Sequence, residues 1–388
     1  MISQPPPSPT KKGSAGRMKD IAVGIDPQDN GRPDQELAPD SAVRARWAVL
    51  VGTLATAGIA IAVLVWAKWY PYALKIPAVA GSHSLGNSIL SGKASAPPAP
   101  SWNAAIEYSL GYVGSIWQAL VAGLLVAAAV EAFLPARRLL ALFQATRGPA
   151  ASTVCGGLLS MSSMMCTCCA APVALNVRRR GVPVSSALAY WLGNPVLNPA
   201  ALAFMAFVLP WQFVAVRVGT GVILVFGVTL LVSRLAKGTS VAEPVEEPAE
   251  NVTAAGAVGR FTKALARLSV RLLPEYAVVV MLLGAFRGWL FPEAGTLASW
   301  GVLAAVLLAV VGTLFVIPTA AEIPIIGALM AAGVGMVPLG ALVLTLPALS
   351  LPSMLMVRGA FPGRVIAATA AAVMGLGLVG AAAMAALI

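Results

Sequence analysis

Long apolar segments separated by short polar ones make up most of the chain from residue 47 onward. Several of them are about 18 to 28 residues long, and about 20 apolar residues in a helix, at ~1.5 Å per residue, cross a hydrocarbon core ~30 Å thick. The apolar residues run continuously rather than alternating at every second position, which excludes a transmembrane β-barrel. The pattern therefore predicts an all-α polytopic membrane protein.

The composition supports this class. Of the 388 residues, 59% are hydrophobic and only 11% are charged, whereas soluble domains contain about 25% charged residues. The mean hydropathy is +0.84. The formal net charge is +11, but Lys and Arg in a polytopic protein mostly mark cytoplasmic loops. We therefore expect the lipid bilayer as a partner and no binding of nucleic acid.

The N-terminal part divides into three predicted segments. Residues 1–46 are rich in Pro, Gly and charged residues, which predicts a disordered cytoplasmic tail. Residues 47–70 are predicted to form an N-terminal transmembrane span, which enters from the cytoplasm because Arg44 and Arg46 precede it. Residues 71–102 are rich in Gly, Ser and Pro, and we expect them to form an extracytoplasmic loop.

The rest of the chain is predicted to be an internal repeat. A polar segment with several Glu residues, 236–268, is the predicted cytoplasmic linker between a first repeat at 103–235 and a second at 269–388. A shift of 152 positions aligns helix-punctuating residues of the two copies, namely Pro172 with Pro324, Gly181 with Gly333, and Pro195 with Pro347. A match without gaps indicates that one unit was duplicated.

The charges indicate that the two copies have opposite orientations. The ten residues from Cys169 to Arg179 span ~15 Å of helix, about half of the hydrocarbon core. A short helix can therefore return to the cytoplasmic side, where Arg178–Arg180 satisfy the positive-inside rule. The equivalent residues 330–332 are uncharged. This bias predicts an inverted-topology repeat, the architecture of secondary transporters, with the N-terminus cytoplasmic and the C-terminus extracytoplasmic.

Each copy is predicted to contain one re-entrant hairpin and one proline-broken helix, in addition to full spans, of which we expect about seven in the chain. The predicted helix breaks lie at Pro172, Pro195 and Pro199 in the first copy and at Pro324, Pro347 and Pro352 in the second. A proline inside a helix costs about 3 kcal/mol, and unwound backbone at membrane depth is stable only inside protein or beside a wet cavity. We therefore expect the interruptions to meet at one midplane site.

Three cysteines at the first predicted hairpin tip are candidate ligands. Cys166, Cys168 and Cys169 offer soft sulfur donors, which favour Cu(I), Hg(II) or, by the same logic, trivalent arsenic over hard cations. The alternative is that they are packing residues of an apolar interior. A tetrahedral zinc site is disfavoured because the sequence offers no second pair of ligands.

Polar residues complete the predicted site. Glu322 lies at the second hairpin tip, and an ionisable residue inside a membrane is a functional candidate, here for a proton or for substrate. Arg287 is its predicted counter-ion, whereas Arg217, near the end of a span, is expected to snorkel. Asn194 and Asn198 lie at the first break, where their amides either replace hydrogen bonds lost at the prolines or bind a ligand.

The same motifs resemble the ArsP-type, YraQ-like family of predicted permeases, which includes trivalent organoarsenical efflux permeases. The resemblance covers roughly residues 105–388 and lies in Cys166-Thr167-Cys168-Cys169-Ala170-Ala171-Pro172, Asn194-Pro195-Val196-Leu197-Asn198-Pro199, Ala321-Glu322-Ile323-Pro324 and Leu346-Pro347. The family motif generally reads Cys-Ser-Cys-Gly, and Thr167 and Cys169 replace its Ser and Gly. The resemblance implies a plasma-membrane exporter.

The sequence therefore predicts a permease, not an enzyme, that needs no cofactor and exports a thiophilic small solute such as a trivalent organoarsenical. Cys166, Cys168 and Cys169 would bind the solute, and Glu322 would exchange protons. Two alternatives remain open. One is a permease for a soft metal, Cu(I) or Hg(II), or for another small solute. The other is a membrane thiol-redox protein that uses Cys166 and Cys169 as an exchanging pair.

Overall fold

The computed structural model describes residues 39–90, 97–135, 138–141, 148–236 and 254–388. Within these ranges the regular secondary structure is helical and contains no strand. Ala45–Ile388 form one compact unit. The predicted all-α class is confirmed, whereas residues 1–38 of the predicted tail lie outside the described ranges.

One long helical segment forms the N-terminal span, and it is longer than predicted. It consists of α1 (Pro39–Leu64), a π-helical turn (Val65–Trp69) and α2 (Tyr70–Ser82). The predictions of a disordered tail up to residue 46 and of a loop from residue 71 are therefore wrong at these boundaries. Pro71 is the second residue of α2, which directly follows the π-helical turn, and Pro77 lies inside α2; neither proline ends the helix. It ends at His83, whose φ of 50° is left-handed.

The two halves are built from corresponding sets of helices. The first half contains α3 (Trp102–Phe133), α4 (Pro149–Ser163), α5 (Thr167–Arg179), α6 (Val184–Val196), α7 (Pro199–Val208) and α8 (Trp211–Val222), followed by a π-helical turn (Ile223–Val228), α9 (Thr229–Ser233) and a 3-10 turn (Arg234–Ala236). The second half contains α10 (Ala254–Ala285), α11 (Arg287–Leu290), α12 (Ala294–Ser299), α13 (Val302–Leu314), α14 (Glu322–Ala331), α15 (Met336–Ala348), α16 (Leu351–Val357) and α17 (Gly363–Leu387). The predicted linker 236–268 is wrong in its second part, because α10 already begins at Ala254, while 237–253 are not described.

The spacing of 152 residues reappears in the helix boundaries. Helices α3 and α10 are both 32 residues long, and α6 and α15 are both 13 residues long. The first residues of these helices are 152 apart, as are those of α7 and α16 and those of α8 and α17. The repeat in the sequence is thus also a repeat of secondary structure.

The turns after α5 and α14 repeat in atomic detail. Gly181 and Gly333 have φ of 90° and 91°, a region that favours glycine. The amide after each glycine donates to the carbonyl five residues earlier, at 3.2 Å in the first half and 3.0 Å in the second. This is the hydrogen-bond pattern of a Schellman motif, which ends a helix by satisfying its last carbonyls. The sequence repeat therefore preserves the chemistry that stops each short helix.

Corresponding helices of the two halves make equivalent contacts with the opposite half. Helix α5 of the first half packs on α16 of the second, and α14, the counterpart of α5, packs on α7, the counterpart of α16. Helices α3 and α10, which also correspond, pack along each other. Each short helix thus contacts the broken helix of the other half.

Seven helical segments in the described ranges are long and apolar enough to cross a membrane. They are Val49–Ser82, Trp102–Phe133, Val184–Val208, Trp211–Ala236, Gly256–Ala285, Met336–Val357 and Gly363–Leu387. The polytopic class is therefore confirmed. Helices α13 and α14 are apolar but shorter.

The structure corrects two of the predicted helix breaks. Pro172 lies inside α5. Pro324 lies in the first turn of α14, where a backbone N–H would have no acceptor within the helix, so the missing N–H of proline costs no hydrogen bond. The interruptions lie before these helices, at residues 164–166 and 315–321. The other four prolines lie near helix ends: α6 ends one residue after Pro195 and α7 begins at Pro199, whereas α15 ends one residue after Pro347 and Pro352 is the second residue of α16.

Candidate functional site

Two of the three clustered cysteines form a close pair at the interruption before α5. The sulfur atoms of Cys166 and Cys169 are 3.0 Å apart, and both thiols are free. Cys166 is the N-cap residue of α5, and Cys169 lies in its first turn. Because the N-terminus of a helix carries a partial positive charge, both sulfurs lie where negative charge is stabilised.

Cys168 has a different set of neighbours. Its sulfur lies 3.4 Å from the Ser350 hydroxyl of the second half and 3.9 Å from the Tyr112 hydroxyl of α3. The Tyr276 hydroxyl of α10 donates to the Tyr112 hydroxyl at 2.7 Å. Cys168 therefore contacts both halves of the protein.

A three-cysteine metal site is not preassembled, which corrects that prediction. In the part of the chain that the structure describes, no group of three or more His, Cys, Asp and Glu side chains could hold a metal ion. Two sulfurs are paired and the third contacts hydroxyl groups. The arrangement offers two sulfurs to one soft atom.

Asn194 holds the backbone at the interruption before α5. Its Oδ1 accepts from the Ser163 hydroxyl at 2.6 Å and from the Met165 amide at 3.1 Å, and its Nδ2 donates to the Tyr190 carbonyl at 2.8 Å. The interruption includes Met164, whose φ of 50° is left-handed. Of the two roles open for Asn194, the structure shows the hydrogen-bonding one.

The two breaks of the longer helices are capped at equivalent positions. Asn198 caps α7 through Oδ1, which accepts from the Ala200 and Ala201 amides at 3.0 and 3.2 Å. Ser350, 152 positions later, caps α16 with Ser353 in a capping box. The Asn198 Nδ2 is buried and has no hydrogen-bond partner within the described ranges, so only this end of the amide remains available for a ligand.

Glu322 forms a buried ion pair, but its partner is Arg217. The Arg217 Nη1 lies 2.5 Å from the Glu322 Oε1, and the two side chains are 0% and 1% exposed. Arg217 also donates to the carbonyls of Pro195 and Val196, at 2.6 and 3.0 Å. The prediction that Arg217 snorkels is therefore wrong, because its guanidinium fills the hydrogen-bonding deficit where α6 breaks.

Arg287 is not the counter-ion of Glu322, which corrects a second prediction. Its Nη2 lies 3.1 Å from the Glu107 Oε2, and its Nε donates to the Leu90 carbonyl at 2.8 Å. Glu107 is 66% exposed. Arg287 thus ties the N-terminal end of α3 to the end of α10, away from the Glu322 carboxylate.

Lys68 is a polar residue that the sequence reading missed. It lies in the π-helical turn of the N-terminal span, is 5% exposed, and donates to the Thr319 hydroxyl at 3.2 Å and to the Tyr72 hydroxyl at 3.1 Å. A lysine near the end of an apolar run resembles an interfacial anchor, so the sequence alone gave little reason to place it inside.

The interrupted helices thus enclose thiols, a buried ion pair and a buried ammonium group. In a polytopic helical protein this arrangement is typical of membrane permeases. A family model described as a predicted permease, ArsP_1, matches residues 101–385. The UPF0718 protein YraQ of Escherichia coli (strain K12) is 42% identical over 315 residues, which cover 81% of this chain and 89% of that protein.

The chain belongs to the ArsP-type family of predicted permeases. The family assignment expected from the cysteine, proline and Glu322 motifs is therefore confirmed. No solved structure matches the chain.

We predict that Glu322→Ala lowers the free energy of unfolding by about 3–5 kcal/mol, because it leaves the buried Arg217 charge unpaired. Arg217→Met/Glu322→Leu should recover only part of this loss, because it removes the unpaired charge but also the hydrogen bonds to the carbonyls of Pro195 and Val196. Unfolding by SDS in mixed micelles measures both. The control is Glu275→Ala. Glu275 forms an ion pair with Arg358 at 3.1 Å, and the Arg358 side chain is 64% exposed. Ion pairs at the surface contribute about 0–1 kcal/mol. Equal losses for Glu322→Ala and Glu275→Ala would contradict the assignment of a structural ion pair.

Proposed function

We propose that the protein is a plasma-membrane permease that exports a small thiophilic solute, such as a trivalent organoarsenical. Cys166 and Cys169 capture the solute, and Glu322 couples its movement to protons. The family membership supports transport rather than catalysis. The proposals of export and of arsenic resistance rest on the family resemblance of the cysteine motif.

The observation that carries this proposal is the 3.0 Å separation of the Cys166 and Cys169 sulfur atoms. Two sulfurs this close can bond the same soft atom, whereas a hard cation requires several oxygen ligands. The two side chains are 4% and 0% exposed. A captured solute would thus be shielded from water and from competing thiols, and its release requires a change of conformation.

An inverted repeat would supply that conformational change. The reciprocal packing of α5 on α16 and of α14 on α7 supports two halves related by a pseudo-twofold axis. Arg179 at the end of α5, Arg358 after α16 and Arg271 of α10 line one groove. Their grouping on one face supports a shared cytoplasmic side for the ends of α5 and α16, as the opposite-orientation scheme requires.

The short helices support the re-entrant part of this scheme. Helix α5 has 13 residues and α14 has 10, which gives lengths of ~20 and ~15 Å, less than the ~30 Å hydrocarbon core. Each short helix also ends in a Schellman turn at a glycine. We therefore propose that α4–α5 and α13–α14 are the two re-entrant hairpins.

Glu322 is the proposed coupling residue. Its Oε1 pairs with Arg217, while its Oε2 is buried and without a hydrogen-bond partner in the described ranges. A carboxyl oxygen in this position can accept a proton, which would release the pair with Arg217 and loosen its hold on the carbonyls of Pro195 and Val196. Protonation of Glu322, which belongs to the second half, would then alter the hydrogen bonds at the helix break of the first half.

Two other candidate functions use the same sulfur pair. A permease for Cu(I) or Hg(II) would bind the metal between two sulfurs, and the geometry suits either soft metal. A thiol-redox protein would oxidise the two thiols to a disulfide, giving two electrons and two protons to an acceptor disulfide. The burial of both sulfurs favours a small solute over a protein partner that must reach them.

We predict that Cys166→Ser and Cys169→Ser each abolish the growth protection that the wild type gives cells exposed to trivalent methylarsenic, because one sulfur alone forms a weaker adduct. Cys155→Ser is the matched control, since Cys155 is a half-buried free thiol outside the pair and should protect like the wild type. Protection by both pair variants would exclude the dithiol from the mechanism. Protection against Cu(I) or Hg(II) alone would favour the soft-metal alternative.

We predict that Glu322→Gln binds methylarsenous acid within about twofold of the wild type but transports it without response to an imposed pH gradient. The amide keeps an oxygen for Arg217 and cannot exchange a proton. Uptake into inside-out membrane vesicles with and without a gradient measures the effect, and Glu275→Gln on the exposed pair is the control. A gradient response equal to that of the wild type would remove Glu322 from coupling.

A further inference from the structure

The N-terminal span reaches the interruptions of both halves, although it precedes the matched permease region 101–385. Lys68 donates to the Thr319 hydroxyl at 3.2 Å, in the interruption before α14. The adjacent Trp69 donates its indole N–H to the Ser162 carbonyl at 2.8 Å, near the end of α4. Both residues belong to a π-helical turn, a distortion often found at functional sites.

Within the described ranges, the Lys68 ammonium has no carboxylate partner. Its two hydrogen bonds go to neutral hydroxyls, of Tyr72 and Thr319, and it also lies 5.2 Å from the centre of the Tyr72 ring. Among the residues that the structure describes, no carboxylate lies within ion-pair distance of Nζ. An ammonium group has three N–H donors, so one donor remains for another group.

An interfacial anchor would not explain these contacts. A lysine that snorkels sends its ammonium group to water, whereas Lys68 is 5% exposed and contacts a residue 251 positions later in the chain. A buried cation is costly unless negative charge lies nearby. The neighbouring Trp69 binds the Ser162 carbonyl, four residues before Cys166, so the ammonium group is buried next to the interruption that carries the thiols of Cys166 and Cys169, which become negative when they lose their protons.

We propose that Lys68 is a positioning residue of the dithiol site, so that the N-terminal span is part of the capture machinery. Its positive charge stabilises the negative charge that develops on sulfur while a thiol attacks the solute. This inference rests on the proposed function and adds to it a residue from outside the matched permease region. It predicts that the charge of Lys68 sets the rate of capture rather than the number of solutes bound.

The chemical step balances without a further reactant. When a thiol of the pair attacks a trivalent arsenical hydroxide, an S–H bond and an As–O bond break, an As–S bond forms, and the proton leaves with hydroxide as water. The second thiol repeats the exchange and closes a cyclic dithioarsenite. No electron is transferred, and the positive charge of Lys68 is positioned to stabilise charge that exists only during each attack.

The test measures how fast purified full-length protein captures methylarsenous acid, by rapid mixing, acid quench and mass spectrometry of the adduct. Lys68→Met should slow capture by about tenfold to a hundredfold at unchanged final stoichiometry, and Lys68→Arg should restore most of the rate. Thr319→Val, which removes one hydroxyl that orients Nζ, should slow capture by a smaller factor. Lys75→Gln, an exposed lysine of the same span, should leave the rate unchanged.

Each outcome decides one of the two claims. Wild-type protein that forms no adduct, or Cys166→Ser/Cys169→Ser protein that still forms it, contradicts the proposed function. Lys68→Met protein that captures at the wild-type rate contradicts the role of Lys68 and leaves the proposed function standing. If Lys68→Met does not fold, the same decision rests on Thr319→Val, for which an unchanged rate contradicts the role.

Discussion

A backbone group freed at a helix interruption needs a hydrogen-bond partner inside the protein, because lipid provides none. This constraint explains most of the buried polar residues described above. Asn194 binds the Met165 amide at the first interruption, and Arg217 binds the carbonyls where α6 ends. The second half contributes Ser350 beside Cys168 and Glu322 beside Arg217. The interruptions of the first half are therefore stabilised partly by its own side chains and partly by Ser350 and Glu322 of the second half.

The same constraint separates structural polar groups from those that remain free to act. Asn194 uses both ends of its amide on the protein, and Arg287 is engaged at the end of α10. Among the described residues, no other part of the protein engages the sulfur pair, the second oxygen of Glu322 or one donor of Lys68. These groups come from three parts of the chain, and they carry the proposed capture and coupling. In a permease built in this way, a movement of one half against the other would change the contacts between these groups.

Local patterns allowed much of the architecture to be predicted, whereas the pairing of distant charges did not follow from them. The repeat was visible because prolines and glycines have local backbone requirements, and the structure places Gly181 and Gly333 in matching turns. The partner of Glu322 was predicted wrongly, because the position of Arg217 near the end of a span suggests an interfacial residue and only packing shows that it turns inward to the carboxylate. The ends of the N-terminal span were also wrong, since Pro71 and Pro77 suggest a loop but lie within the helix. Lys68 was missed for a related reason, because its position suggests an interface and only tertiary contacts turn it inward.

The central claim is that the two halves insert with opposite orientations, so that equivalent turns face opposite sides of the membrane. Single cysteines at Arg179→Cys and Ala332→Cys, in a variant without the four native cysteines, test it directly, since both positions are exposed. A membrane-impermeant maleimide applied to sealed cells and to inside-out vesicles reports the side of each residue. The account predicts labelling of position 179 only from the cytoplasmic side and of position 332 only from the outer side. Labelling of both positions from the same side would contradict it.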